Sequence, residues 1–157
     1  MSRASINQAC ACKCGQSKFT LRGKPLARLL CHCNICQSVY MQPFADVTAF
    51  WAGSVALPGG QEVNFKKYRR PPALSRGICS ACNSPVVGYM SLAPFAKLAF
   101  VPSQNVPLPA ALPQPRAHIF YHRRQQDAHD TLPKFSGYWP SEFMVTGLVL
   151  AGTFSDS

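Results

Sequence analysis

Seven of the eight cysteines stand in three tight groups, Cys12-x-Cys14, Cys31-x-Cys33-x-x-Cys36 and Cys79-x-x-Cys82. These are spacings of zinc ligands. In a tetrahedral thiolate site the metal lies about 2.3 Å from each sulfur, so the sulfurs stand about 3.8 Å apart, a separation that short C-x-C and C-x-x-C loops supply. Disulfides suit the groups badly, because neighbouring cysteines would need separate partners at the right Cα separations and the chain lacks the spread cysteines of a secreted scaffold. Four ligands, Cys12, Cys14, Cys79 and Cys82, close one structural zinc. Cys31, Cys33 and Cys36 hold a second and leave its fourth position open to water or substrate, the arrangement of a catalytic site. The expectation is two zinc ions per chain.

Other residues near these groups offer chemistry of their own. Cys10 continues the parity of Cys12 and Cys14, but residues i and i+4 of a strand are about 13 Å apart, so it is read as a small core residue rather than a ligand. The sharper alternative makes it the fourth ligand of the middle group, which would close that site. His32 alternates away from the sulfurs flanking it. His118 and His122 have matching parity on an expected strand and so should share a face, although nothing in their spacing ties them to a metal.

The elements that must position these residues read mostly as strands. Short period-two runs broken by Gly and Pro indicate antiparallel strands around Phe19 and Leu21, and over 44–50, 63–68, 74–79, 86–90, 97–101 and 117–122. Short helices fit only 91–96 and 141–150, the second interrupted by Gly147. The segment 102–115 carries five prolines and is expected to be a surface connection. At 157 residues and 47% hydrophobic, the chain has the size and apolar content of one domain and is not disordered throughout. Its formal charge of +10 falls to about +7 once seven thiolates hold two Zn²⁺, which favours anionic partners. The polar first residues and the reduced thiols point to the cytoplasm, and no run is long enough to span a bilayer.

The ordered motifs Cys12-Lys13-Cys14-Gly15, Cys31-His32-Cys33-Asn34-Ile35-Cys36 with Pro43-Phe44, and Cys79-Ser80-Ala81-Cys82-Asn83-Ser84-Pro85 resemble those of the glutathione-dependent formaldehyde-activating enzyme family, which also includes centromere protein V. The likeness extends through residues 115–120 and 130–135. It implies a mainly β fold of two packed antiparallel sheets clipped by a structural zinc, with few short helices. The domain would span 9–138, and 139–157 would be an extension packed on it or trailing from it. Three positions depart from the pattern: Cys10 and Met41 replace common glycines, and Asn83 replaces another that follows the knuckle. Asn tolerates a left-handed backbone, whereas Met41 is expected to narrow the approach to the open zinc.

The resemblance implies a zinc-dependent carbon-sulfur lyase or synthase of the S-(hydroxymethyl)glutathione synthase type. Its partners would be a small thiol such as glutathione and formaldehyde or another small aldehyde. Three thiolates leave room for the thiol sulfur, and the basic stretch Lys66, Lys67, Arg69, Arg70 and Arg76 offers cations for its carboxylates, with Arg70 and Arg76 as the expected substrate-binding pair. The rival reading is a zinc-stabilised module that binds nucleic acid or protein without catalysis, suggested by the basic balance and by Tyr68 among the charges. No basic helix or nucleic-acid motif supports it.

Overall fold

The structure, a computed structural model, describes residues 4–68 and 74–154. Strands dominate it, in two sheets. The small sheet pairs β1 (Ile6–Ala11), β2 (Lys18–Gly23) and β5 (Val55–Ala56) in the order β1-β2-β5. The large sheet has the order β10-β3-β4-β9-β8-β7-β6, built from β3 (Ala27–Cys31), β4 (Ala45–Trp51), β6 (Val63–Lys67), β7 (Ser75–Cys79), β8 (Pro85–Ala93), β9 (Ala96–Pro102) and β10 (Ala117–Ile119). Among the described strands every pairing is antiparallel except that of β10 with β3, which is parallel, and an isolated bridge joins His118 to Lys134, also parallel. The fold is thus the expected two-sheet architecture with one exception at its edge.

Register explains how one sheet serves two cores. Because side chains alternate between faces, residues opposite one another across the ladder share a face. Leu29 lies opposite Val47, and Val47 opposite Pro102, while Ala49, Phe100, Gly88 and Arg76 form a second such row. On this face Leu29, Cys31, Val47, Ala49 and Leu98 pack with Val145 and Val149 of helix α2 (Tyr138–Phe154). On the other face Phe50, Val87, Ala99 and Val101 pack with Ile6, Cys10, Phe19 and Leu21 of the small sheet. Each fully buried Val, Leu, Ile or Phe among them contributes about 1.5–3 kcal/mol relative to exposure. Cys10 is 2% exposed and belongs to this second core.

Several elements differ from the sequence reading. Strand β3 shows no alternation because it is buried on both faces, as Leu29 and Leu30 attest. Residues 91–96, expected to be helical, complete the β8–β9 hairpin, with Ser91 opposite Lys97 and Ala93 opposite Ala96. Helix α2 has 17 residues and extends past both ends of the helix expected over 141–150. A glycine within a helix costs only about 1 kcal/mol, which burial of Val145 and Val149 offsets. Gly152 serves close approach: a Cβ there would stand 2.4 Å from the Leu26 carbonyl oxygen. The helix therefore shares a core with β3 and β4. The proline-rich segment is not wholly superficial either, since Val106 and Leu112 enter the same core as Cys10 and Asn105 Nδ2 donates to the carbonyls of Pro85 and Val86. Among the described residues, no helix is long and apolar enough to cross a membrane.

Helix α1 (Asn34–Tyr40) was missed by the sequence reading, and it ends on Met41 in the left-handed conformation, φ 51° and ψ 42°. That side chain is 83% exposed and does not line the cavity beside the cysteines, so the expected crowding of the site is not seen. A glycine suits this position for its backbone freedom. Met41→Gly is accordingly expected to raise stability, by about 1 kcal/mol, with thiol affinity unchanged. Chemical denaturation tests this, and a loss of stability would remove the explanation.

Candidate metal centres and the adjoining cavity

The four cysteines of the first and third motifs meet at one end of the molecule. Strand β1 stops at Ala11, and the chain turns so that Gly15 N–H donates to Cys12 O at 3.0 Å with Gly15 at φ +81°. Cys12 and Cys14 thus lie in a turn, not on a bent strand. Cys79 ends β7, and Asn83 N–H closes the second knuckle on Cys79 O at 2.8 Å with Asn83 at φ 59°. The sulfurs of Cys12 and Cys14 are 3.5 Å apart, those of Cys14 and Cys79 3.9 Å, and those of Cys82 and Cys12 3.8 Å. All four lie within 4.8 Å of one another. A tetrahedral zinc asks for about 3.8 Å, so the donor set fits that metal without rearrangement. Ser17 N–H also points at the Cys12 sulfur, 3.3 Å away.

Cys31, Cys33 and Cys36 form the second cluster, again with sulfurs within 4.8 Å of one another. Cys31 closes β3, and Cys33 caps α1, its sulfur accepting from Cys36 N–H at 3.3 Å. Arg76, on β7 and only 9% exposed, donates from Nη2 to the Cys36 sulfur at 3.5 Å. Hydrogen bonds from the Cys31 and Cys36 thiols, with help from Cys36 N–H and Arg76, pull the Cys33 thiol down to about 2. Its contact with Cys33, the contact with Cys36 and burial push Cys31 well above the ordinary thiol range. Sulfurs packed this closely do not all ionise on their own. A divalent cation would let them do so, which is the second respect in which the residues fit a metal. Cys10 is in neither cluster.

Behind the cluster runs a chain of hydrogen bonds that motif spacing did not reveal. His32 Nε2 lies 2.8 Å from His118 Nδ1, and His118 Nε2 lies 2.8 Å from Asp130 Oδ2. The carboxylate can only accept here, so His118 carries a proton on Nε2. The hydrogen bond from His118, reinforced by Lys134, lowers the Asp130 carboxyl to about 2. Burial, with the nearby His118, lowers His32 to about 4. His32 is 3% exposed, and its Nδ1 has no hydrogen-bond partner among the described residues. Gln37 Nε2 donates to the His32 carbonyl at 2.6 Å and to the Arg123 carbonyl at 2.7 Å, which fixes α1 against the turn 121–123. These contacts brace the backbone between Cys31 and Cys33. His122 does not join His118: β10 ends at Ile119, Phe120 is left-handed, and His122 Nδ1 accepts from Gly137 N–H at 2.7 Å.

The cluster opens into a cavity walled by the α2-covered face of the large sheet, by α1 and by α2. Arg76 and Glu142 are its charged lining residues among the described residues. Arg70, the other expected substrate-binding residue, and Arg69 lie outside the described residues. Lys66 and Lys67 are exposed on β6. The aromatic ring among these charges is engaged within the chain, since Lys66 Nζ stands 5.0 Å and the Arg76 guanidinium 5.7 Å from the Tyr68 ring centre.

A family model described as glutathione-dependent formaldehyde-activating enzyme matches residues 7–123. No curated protein matches the chain.

Proposed function

Because the chain belongs to the glutathione-dependent formaldehyde-activating enzyme family, we propose that it is a zinc-dependent carbon-sulfur lyase or synthase that joins a small thiol, glutathione or a close analogue, to an aldehyde. The observation that carries this reading is the division of the cysteines into a four-sulfur cluster and a three-sulfur cluster, the latter facing a cavity. Cys12, Cys14, Cys79 and Cys82 would hold a structural zinc, and Cys31, Cys33 and Cys36 a catalytic one. A zinc held by these three cysteines would supply a Lewis-acidic position at which a thiol is a nucleophile at neutral pH.

The rest falls to the chain's own residues. Arg76 stabilises negative charge on the sulfur cluster through its bond to Cys36. Its other N–H donors are available for a carboxylate of the thiol substrate, with Arg70 as the second expected partner. The apolar cavity wall limits water around the reacting carbonyl. The Asp130–His118–His32 chain and Gln37 hold the ligand-bearing backbone still. In the addition, the sulfur–carbon bond forms as the carbonyl π bond breaks, and the carbonyl oxygen gains the proton the thiol gives up.

Zinc-loaded protein should contain two equivalents of metal, bind glutathione, and accelerate hydroxymethyl thioether formation from glutathione and formaldehyde followed by NMR. One zinc in fully loaded protein would defeat the two-site reading. Arg76→Gln is expected to weaken glutathione binding about tenfold, the scale of a hydrogen bond to a charged group. Tight DNA binding at physiological salt, with no glutathione affinity, would favour the nucleic-acid module instead.

A further inference from the structure

The wall beside the three sulfurs is mostly hydrocarbon: Leu29, Val47, Met90, Phe100, Ile119 and Val145 line it. Val145 and Glu142 come from α2, which lies beyond the residues 7–123 matched by the family model. A second cavity shares Met90, Glu142 and Val145 with the first and continues past Leu98 to Trp51, Leu92 and Leu150. Space beside the sulfurs therefore adjoins more apolar space along the helix. Formaldehyde has no carbon chain to lay against such a surface. An aldehyde with an alkyl group does, and each methylene taken out of water there is worth about a fourfold gain in binding.

We propose that the aldehyde used at this site carries an apolar substituent, a short aliphatic chain, packed against Leu29, Val47, Met90, Phe100 and Val145. This rests on the thiol–aldehyde reading above and concerns only which carbonyl compound enters. The bond changes are those already given: sulfur adds to the carbonyl carbon, the π electrons pass to oxygen, and the proton released by the thiol ends there, with no oxidant or reductant needed.

The test compares propanal, butanal and pentanal, whose intrinsic carbonyl reactivities are close, with formaldehyde as reference. Zinc-loaded protein and glutathione are used, and each rate is divided by its uncatalysed rate. The expected result is a kcat/KM that climbs about fourfold per methylene, so that pentanal exceeds propanal about sixteenfold. Accelerated formaldehyde addition with a flat or falling alkyl series would overturn the inference and leave the thiol–aldehyde reading standing. No acceleration with any aldehyde would overturn both. Met90→Trp, checked for folding by its zinc content, is expected to bring the pentanal-to-propanal ratio towards one. An unchanged ratio would mean that the chain does not lie against Met90 and would overturn the placement. The series on the unaltered protein decides the matter even where that variant does not fold.

Discussion

Cys79→Ser is expected to leave a chain that unfolds or aggregates under conditions where the unaltered protein is folded. Zinc binding in small cysteine-ligated domains is worth about 10–16 kcal/mol. The whole stability of an ordinary domain is about 5–15 kcal/mol. Cys79 and Cys82 stand at the end of β7 and face Cys12 and Cys14, 65 or more positions earlier in the chain, so this cluster ties the small sheet to the large one. Serine offers no comparable ligand, and Cys79 itself is buried in the core between the two sheets. Thermal unfolding with light scattering gives the readout. A melting point within a few degrees of the unaltered protein would mean that the cluster does not carry the fold.

Cys33→Ser should do the opposite: keep the fold and remove the activity. Cys33 caps α1 with its sulfur, and serine is among the best residues for that position, so its hydroxyl can accept the Cys36 N–H in the sulfur's place. What disappears is one of three thiolates around the proposed catalytic zinc. One equivalent of zinc should remain bound, with a melting point near that of the unaltered protein and turnover reduced at least about a hundredfold, as when a group central to a reaction is lost. Similar destabilisation by Cys33→Ser and Cys79→Ser would argue against separate structural and catalytic roles.

The cysteine groups were legible because ligand spacing is a local property: C-x-C and C-x-x-C bring sulfurs together wherever the loop lies. Most strands were equally legible, since β4, β7 and β9 announce themselves by short apolar runs between turns. What alternation could not supply was the path of the chain between motifs. After Cys31 the backbone leaves the sheet and enters α1, so the parity argument for His32 lost its basis, and the histidine instead meets His118 from another strand. Nothing in the spacing of residues 32, 118 and 130 joins them, because their contact is tertiary. The length of α2 was hidden for a related reason: Gly147 counts against a helix locally, while the packing of Val145, Val149 and Gly152 counts for it. Met41 taught a different lesson. Its departure from a common glycine concerns backbone conformation, not access to the cavity.

Strand β7 carries Arg76, which touches the Cys36 sulfur, and three residues later Cys79, which belongs to the other cluster. With a structural zinc in the four-sulfur centre, as proposed, the two centres would depend on each other unequally. Losing the four-sulfur centre would release the tie between the two sheets, and the second site would go with the fold. Emptying the three-sulfur centre leaves β7 anchored at Cys79 and paired on both sides by β6 and β8. In zinc scarcity the chain would then idle rather than perish, a folded reserve that resumes work when the metal returns, with no new synthesis required.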